Sequence, residues 1–172
     1  MKQSFYAFGM FMLIVSGQVS AQTTGTSFIT KSSIMNNPFV TGKAAPVAAA
    51  RVSVTALERF RKDYKDAKDV EWAEIPNGYR AYFLQDAVLT AVDYTRKGKL
   101  YSVIRYGQNL LSPYIKMKLE ETFDGLRIIE VAEVKMAEFA TRAYVVVLED
   151  RTSLKTIQII EDEISVMHEV GK

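Results

Sequence analysis

Two short lines in this chain, 59 positions apart, spell nearly the same alternation of apolar and acidic residues: "DVEWAEI" at 69–75 and "IIEVAEV" at 128–134. In an extended strand successive side chains go to opposite faces, so each line reads as a strand with apolar side chains that need a layer to be buried against. The surroundings of the two lines are also alike. Before the first, "VTALERFRKDY" sets Leu57, Phe60 and Tyr64 on one helical stripe, with Thr55 and Glu58 spaced as a capping box. After it, strands are expected at 70–75, 78–85, 88–94 and 99–106, separated by turn signals such as "PNG" and "TRKG". Before the second line, Ser112–Pro113 marks a helix start, Ile115, Leu119 and Phe123 form the stripe, and Gly125 suits a left-handed stop. Strands are then expected at 127–137, 141–148, 154–160 and 164–170. The expectation is an α+β chain made of tandem duplicated helix-plus-four-antiparallel-strand units, the first at 53–109 and the second at 110–172.

The N-terminus reads differently. Lys2, the apolar run "FYAFGMFMLIV" and the small residues of "VSA" at 19–21 have the layout of a signal peptide over 1–21, cleaved after Ala21. Residues 22–52 mix Thr, Ser, Gly, Asn and Ala without an apolar period, which predicts a disordered linker or arm. No later stretch approaches the roughly 20 apolar residues of a membrane helix. The expected mature chain is therefore periplasmic or secreted, with no membrane span after signal cleavage. It contains no cysteine, which excludes disulfide staples, thiolate metal sites and a cysteine nucleophile.

Charge narrows the partner class. Basic and acidic residues nearly cancel, 22 against 20, but residues 22–119 carry 15 basic and 8 acidic, while 120–172 carry 6 and 12. A nucleic-acid binder needs a basic surface that its neighbour does not neutralise, so nucleic acid is not the expected partner.

If a charged residue marks the face turned away from the core, strand alternation nominates an outer face. Arg80 carries Tyr82 and Leu84 outward with it, and Arg105 carries Tyr101 and Val103. Leu100, Ile104 and Tyr106 would then point inward. In the second unit the same logic nominates Arg142, Tyr144 and Val146. Tyrosine and arginine are enriched at protein interfaces, so Arg80, Tyr82, Leu84, Tyr101, Val103 and Arg105 are the candidate partner-binding residues. A second sheet or a second copy of the chain could equally cover such a face.

Catalytic chemistry has little to stand on. The single histidine, His168, is expected on the core-facing side of the last strand, and zinc has no second histidine to use. No nucleophile elbow, zincin motif or phosphate-cradling glycine loop is present. The acidic runs "ED" and "EDE" fall where hairpin turns belong. Glu71, Glu74, Glu130 and Glu133 alternate along strands as sheet-surface charges. No catalytic residue, metal site or cofactor is expected.

The series "ALERFRKDYKDAKDVEWAEIPNGYRAYF", with "LTAVDYTRKGKLYSVIRY" after it, resembles the PepSY-like, β-lactamase-inhibitor-like (BLIP-like) exported bacterial proteins. The second unit is similar in the order of its elements but lacks the Trp and the glycine hairpin. The resemblance implies a curved sheet packed on helices, with a sheet face that binds a protein. Function is then expected to be that of a non-enzymatic periplasmic or secreted module for a protein or peptide partner, with inhibition as one form of it. The alternatives are a self-associating structural envelope protein that forms a homo-oligomer, and an enzyme of unrecognised class.

Overall fold

The alternation is realised as strands that pair in simple sequence order. A computed structural model describes residues 45–172. Its elements are β1 (Ala45–Pro46), α1 (Val54–Asp63), β2 (Lys68–Ile75), β3 (Gly78–Gln85), β4 (Val88–Thr95), β5 (Leu100–Tyr106), α2 (Pro113–Thr122), β6 (Arg127–Met136), β7 (Arg142–Glu149), β8 (Ser153–Ile160) and β9 (Glu163–Gly171). Single 3-10 turns at Ala49–Arg51 and Gln108–Leu110 precede the helices. All nine strands form one antiparallel sheet in the order β1 to β9.

This corrects the expected fold class. The chain is not a tandem of duplicated helix-plus-four-strand units: β5 pairs β6 from Ser102↔Met136 to Tyr106↔Ala132, so the sheet runs through without a break. β1 adds a strand that belongs to neither expected unit, and the two helices are only ten residues each. The physical reason lies in the edges. Two separate four-stranded units would each expose unpaired main-chain groups at β5 and β6, and pairing the two strands satisfies both. Part of the expected arm is also built in, since Val52 is buried in the core beside α1. The expected signal segment 1–21 and residues 22–44 of the expected arm lie outside the described residues.

The hairpins are tight. Gln85↔Val88 and Ile160↔Glu163 each close over two residues, Asp86–Ala87 and Glu161–Asp162, all four at positive φ. That backbone matches the right-handed twist of the flanking strands. At the β2–β3 turn the requirement is steric: a Cβ on Gly78 would lie 1.9 Å from the Tyr94 carbonyl oxygen. Only glycine lets β3 approach β4 so closely there.

Both helices start on serine caps. Ser112 accepts a hydrogen bond from the Ile115 amide at 3.2 Å, with Pro113 in the first turn, as expected. For α1 the cap is Ser53, accepting from the Ala56 amide at 3.2 Å, and not the expected Thr55 box. α1 buries Ala56 and Phe60 against Trp72, Ala81, Phe83, Val92 and Tyr94, with Leu57 and Tyr64 at the margin. α2 buries Ile115 and Leu119 against Val131, Val146, Leu148, Ile157 and Ile159. Each such side chain removed from water stabilises the fold by roughly 1.5–3 kcal/mol.

Both helices lie on the same face. Register carries Val92 on β4 to Val103 on β5, then to Lys135 on β6 and Arg142 on β7. Val131 lies on the same side of β6 as Lys135, four residues earlier. No helix among the described residues lies on the opposite face.

Candidate binding surface

An antiparallel sheet with helices on one side usually turns polar side chains to the other. The helix-free face here does not. Its central rows run Tyr82–Ala91–Ile104–Val134–Ala143–Ile160 and Leu84–Leu89–Tyr106–Ala132–Val145–Gln158 across β3 to β8. Over β3 to β5 this surface is closed. Tyr82, Leu89, Ala91, Ile104 and Tyr106 are all buried, and in the first row the small Ala91 sits between Tyr82 and Ile104.

A third row, Arg80–Asp93–Ser102, adds a buried ion pair. Arg80 Nε donates to Asp93 Oδ1 at 2.5 Å and Nη2 to Oδ2 at 2.8 Å, and the Ser102 hydroxyl donates to Oδ2 at 2.9 Å. Burial works to lower the Arg80 pKa, but its hydrogen bonds to Asp93 and that carboxylate's charge outweigh it, so the guanidinium is held above its ordinary value. Burial pushes the Tyr106 hydroxyl well above the usual tyrosine range, against the pull of Arg80. Arg80 therefore stays charged and Tyr106 neutral at physiological pH, and the arrangement locks a sheet.

The six nominated residues do not share a surface. Arg80 and Tyr82 lie on the helix-free side as expected but are buried, at 5% and 0% exposure. Leu84, on the same side, is exposed at 58%. Val103 and Arg105 face the helices instead, opposite Val92 and Thr90. The reversal has a local cause. Asp93 pairs with Ser102 but Tyr94 pairs with Leu100, so Tyr101 is an extra, bulged residue that flips the phase of β5. Tyr101 is itself 41% exposed, at the end of the sheet away from Leu84. Ile104 and Tyr106, expected inside with Leu100, face away from the helices.

Other expectations change as well. Val146 is core beneath α2, so Arg142 and Tyr144 sit on the helix-bearing side with it. Glu130 and Glu133 are buried and are not surface charges. His168 is exposed on β9, opposite Thr156, and does not face the core. Among the described residues no group of three or more His, Asp or Glu is placed to hold a metal ion. No helix among them is long and apolar enough to cross a membrane.

Toward β8 the helix-free face opens. Val134, Met136, Val145, Gln158 and Ile160 are half-buried, and β9 beyond them is mostly exposed. These residues were not nominated, although a signal was present. "YVVVL" at 144–148 is apolar at successive positions, which is how a strand apolar on both faces reads.

No family model matches the sequence, and no curated protein matches it significantly. Solved structures do resemble it. A DUF2874 family protein from Bacteroides uniformis aligns with TM-score 0.61 at 14% identity, over 70% of this chain and 89% of that one. A protein from Bacteroides eggerthii described as a candidate periplasmic protein gives 0.61 at 13%, over 70% and 88%. A BLIP-like protein from Bacteroides fragilis gives 0.59 at 16%, over 70% and 86%. At such identities the likeness shows the fold alone. The chain has a BLIP-like fold, and the PepSY-like part of the resemblance finds no counterpart in these structures.

Proposed function

We propose that this chain is a non-enzymatic module, exported to the periplasm or beyond, that binds a protein or peptide partner on the helix-free face of its sheet. The observation that carries this reading is the apolar character of that face, which no helix among the described residues accounts for. Where β3 to β5 are closed, Tyr82 and Arg80 act as a floor. The contact residues are Val134, Val145 and Ile160, with Leu84 at the far rim. Half-buried aliphatic side chains from neighbouring rows on three adjacent strands form the kind of contiguous apolar patch that marks a partner site. The candidate periplasmic and BLIP-like structures of the same fold support the location and the class, by analogy of fold.

The test uses Val145→Glu with Ile160→Glu. A partner is captured from envelope extract by the wild-type mature chain, identified by mass spectrometry and titrated as pure protein. The double variant is expected to unfold like wild type and to lose roughly 2 kcal/mol or more of binding, as a central contact does. A variant that keeps both its fold and its affinity would remove the helix-free face from the account.

A further inference from the structure

The sheet ends in two unlike edges. β1 is two residues long and contains Pro46, which has no N–H to donate, so that end is blunt. β9 is nine residues long, and no described strand lies beyond it. Its two halves differ in turn. Ile157 pairs with Val166 but Thr156 with His168, so Met167 is an extra, bulged residue, and Glu169 follows close behind. A bulge and a charge both discourage an edge from pairing. Between Glu163 and the bulge, Ile164, Ser165 and Val166 carry no charge and no proline. Hairpin geometry says which main-chain groups this stretch leaves unused. Ile160 and Glu163 flank the two-residue turn as the hydrogen-bonded pair, and pairs alternate from there, so the N–H and C=O of Ile164 and Val166 turn outward. Their side chains lie on the helix-bearing face, opposite the core residues Ile159 and Ile157. Val166 is 52% exposed. α2 adds an apolar group here. Lys118 Nζ donates to the Asp162 carbonyl at 2.8 Å and stands 5.6 Å from the centre of the Tyr114 ring, which places that half-exposed ring near the β8–β9 turn.

We infer that this edge pairs with the same edge of a second copy of the chain, antiparallel about a two-fold axis through Ser165. An extended row of unpaired main-chain groups is matched by another strand, and register selects which strand. A two-fold axis perpendicular to the sheet must set one residue opposite itself. With Ser165 on the axis, Ile164 of each copy faces Val166 of the other. Those are the residues whose main-chain groups turn outward, so both pairs exchange hydrogen bonds, and their β-branched side chains meet on one face. Other centres lose this match. Val166 on the axis sets Glu163 against Glu169, a like-charge pair. Met167 puts the bulge itself on the axis, and Ile164 sets Val166 against Asp162 in the turn. The assembly closes at two copies, because the free ends left over are the blunt β1 edges. A seam this short lies at the small end of interface sizes, which predicts a weak dimer. The axis keeps the helix-free faces of both copies on one side, so pairing enlarges the surface proposed above without depending on it.

Sedimentation velocity of the mature chain, from low micromolar to near millimolar concentration, is expected to show monomer passing to dimer and nothing larger. Val166→Pro removes an outward N–H and should weaken the dimer by about tenfold or more. If that variant unfolds, the reading passes to Ser165, which is exposed and whose charged variants should keep the wild-type Tm. Ser165→Lys and Ser165→Glu each set like charges face to face on the axis and should weaken self-association roughly three- to fivefold. Mixed together, the two variants should dimerise at least as well as wild type. The inference is overturned if the mature chain stays monomeric throughout, which would leave the edge to a strand of another protein. It is also overturned if the Ser165 variants self-associate like wild type, or if their mixture gains nothing over either alone.

Discussion

Beneath α1 the sheet is packed with rings, and beneath α2 with branched aliphatic chains. Phe60 stands 5.1 Å from Phe83 and 5.4 Å from Trp72, centroid to centroid, both edge-on, and Tyr64 lies 4.8 Å from Phe83. The buried core under α2 contains no aromatic residue; Leu111, Ile115, Leu119, Val131, Val146, Leu148, Ile157 and Ile159 fill it. The opposite face differs in the same sense. Behind the aromatic half lies the closed surface with its Arg80–Asp93 pair, and behind the aliphatic half the surface opens at Val134, Val145 and Ile160. One half is sealed on both sides and holds geometry. The other is sealed on one side and leaves half-buried aliphatic side chains on the other, where binding is proposed.

The largest expected effect comes from breaking the seal where charge holds it. Asp93→Ala strands a buried guanidinium and should cost about 3–5 kcal/mol, whereas replacing Arg80 and Asp93 together by apolar residues of similar volume should cost far less. Denaturant unfolding of the two variants checks this, and equal losses would show that the pair is not buried as described.

The two cores should differ next. Trp72→Ala removes a ring that touches Phe60 and Tyr94 and is expected to cost about 3–5 kcal/mol, toward the top of the range for core truncations. Ile157→Ala beneath α2 removes less volume from neighbours that can move inward, and about 2–4 kcal/mol is expected. Thermal unfolding of both ranks them, and a larger loss at Ile157 would invert the comparison.

Much of this was legible in the sequence, and what was not has identifiable causes. Alternation placed the strands to within a few residues, because one buried face leaves little freedom in phase. The Ser112–Pro113 start and the Gly125 stop were readable because they rest on local backbone chemistry. Sheet continuity was not, since nothing in β5 or β6 alone says whether their edges meet. The candidate site suffered from one assumption, that arginine marks the outer face. Arg80 is paired with Asp93, thirteen residues away, and Arg105 and Arg142 both reach Glu133 on the strand between them. Pairing over such distances is invisible in a strand's own pattern, and the bulge at Tyr101 hid the phase of β5.

The smallest effect belongs to the β7–β8 turn. Asp150 accepts hydrogen bonds from the amide and hydroxyl of Thr152 and from those of Ser153, which lower its pKa from 3.8 to about 2. A carboxylate lowered in the folded state stabilises the fold fully above its unfolded pKa, and that contribution fades as pH falls toward 2. Asp150→Asn should therefore lower Tm slightly at pH 6 and by less at pH 2.5. An equal shift at both would assign the effect to shape and not to charge.

The contrast between a sealed and an open half is tested most directly by placing one glutamate in each. Ala91 is 0% exposed at the centre of the closed surface, and Val145 is half-buried in the open one. Measured by thermal unfolding of the mature chain, Ala91→Glu is expected to abolish cooperative folding or cost several kcal/mol, as burying an unpaired charge does. Val145→Glu should stay within about 1 kcal/mol of wild type. If Ala91→Glu unfolds like wild type, the first half is not sealed, and the division of the sheet into an anchor and a binding surface is wrong.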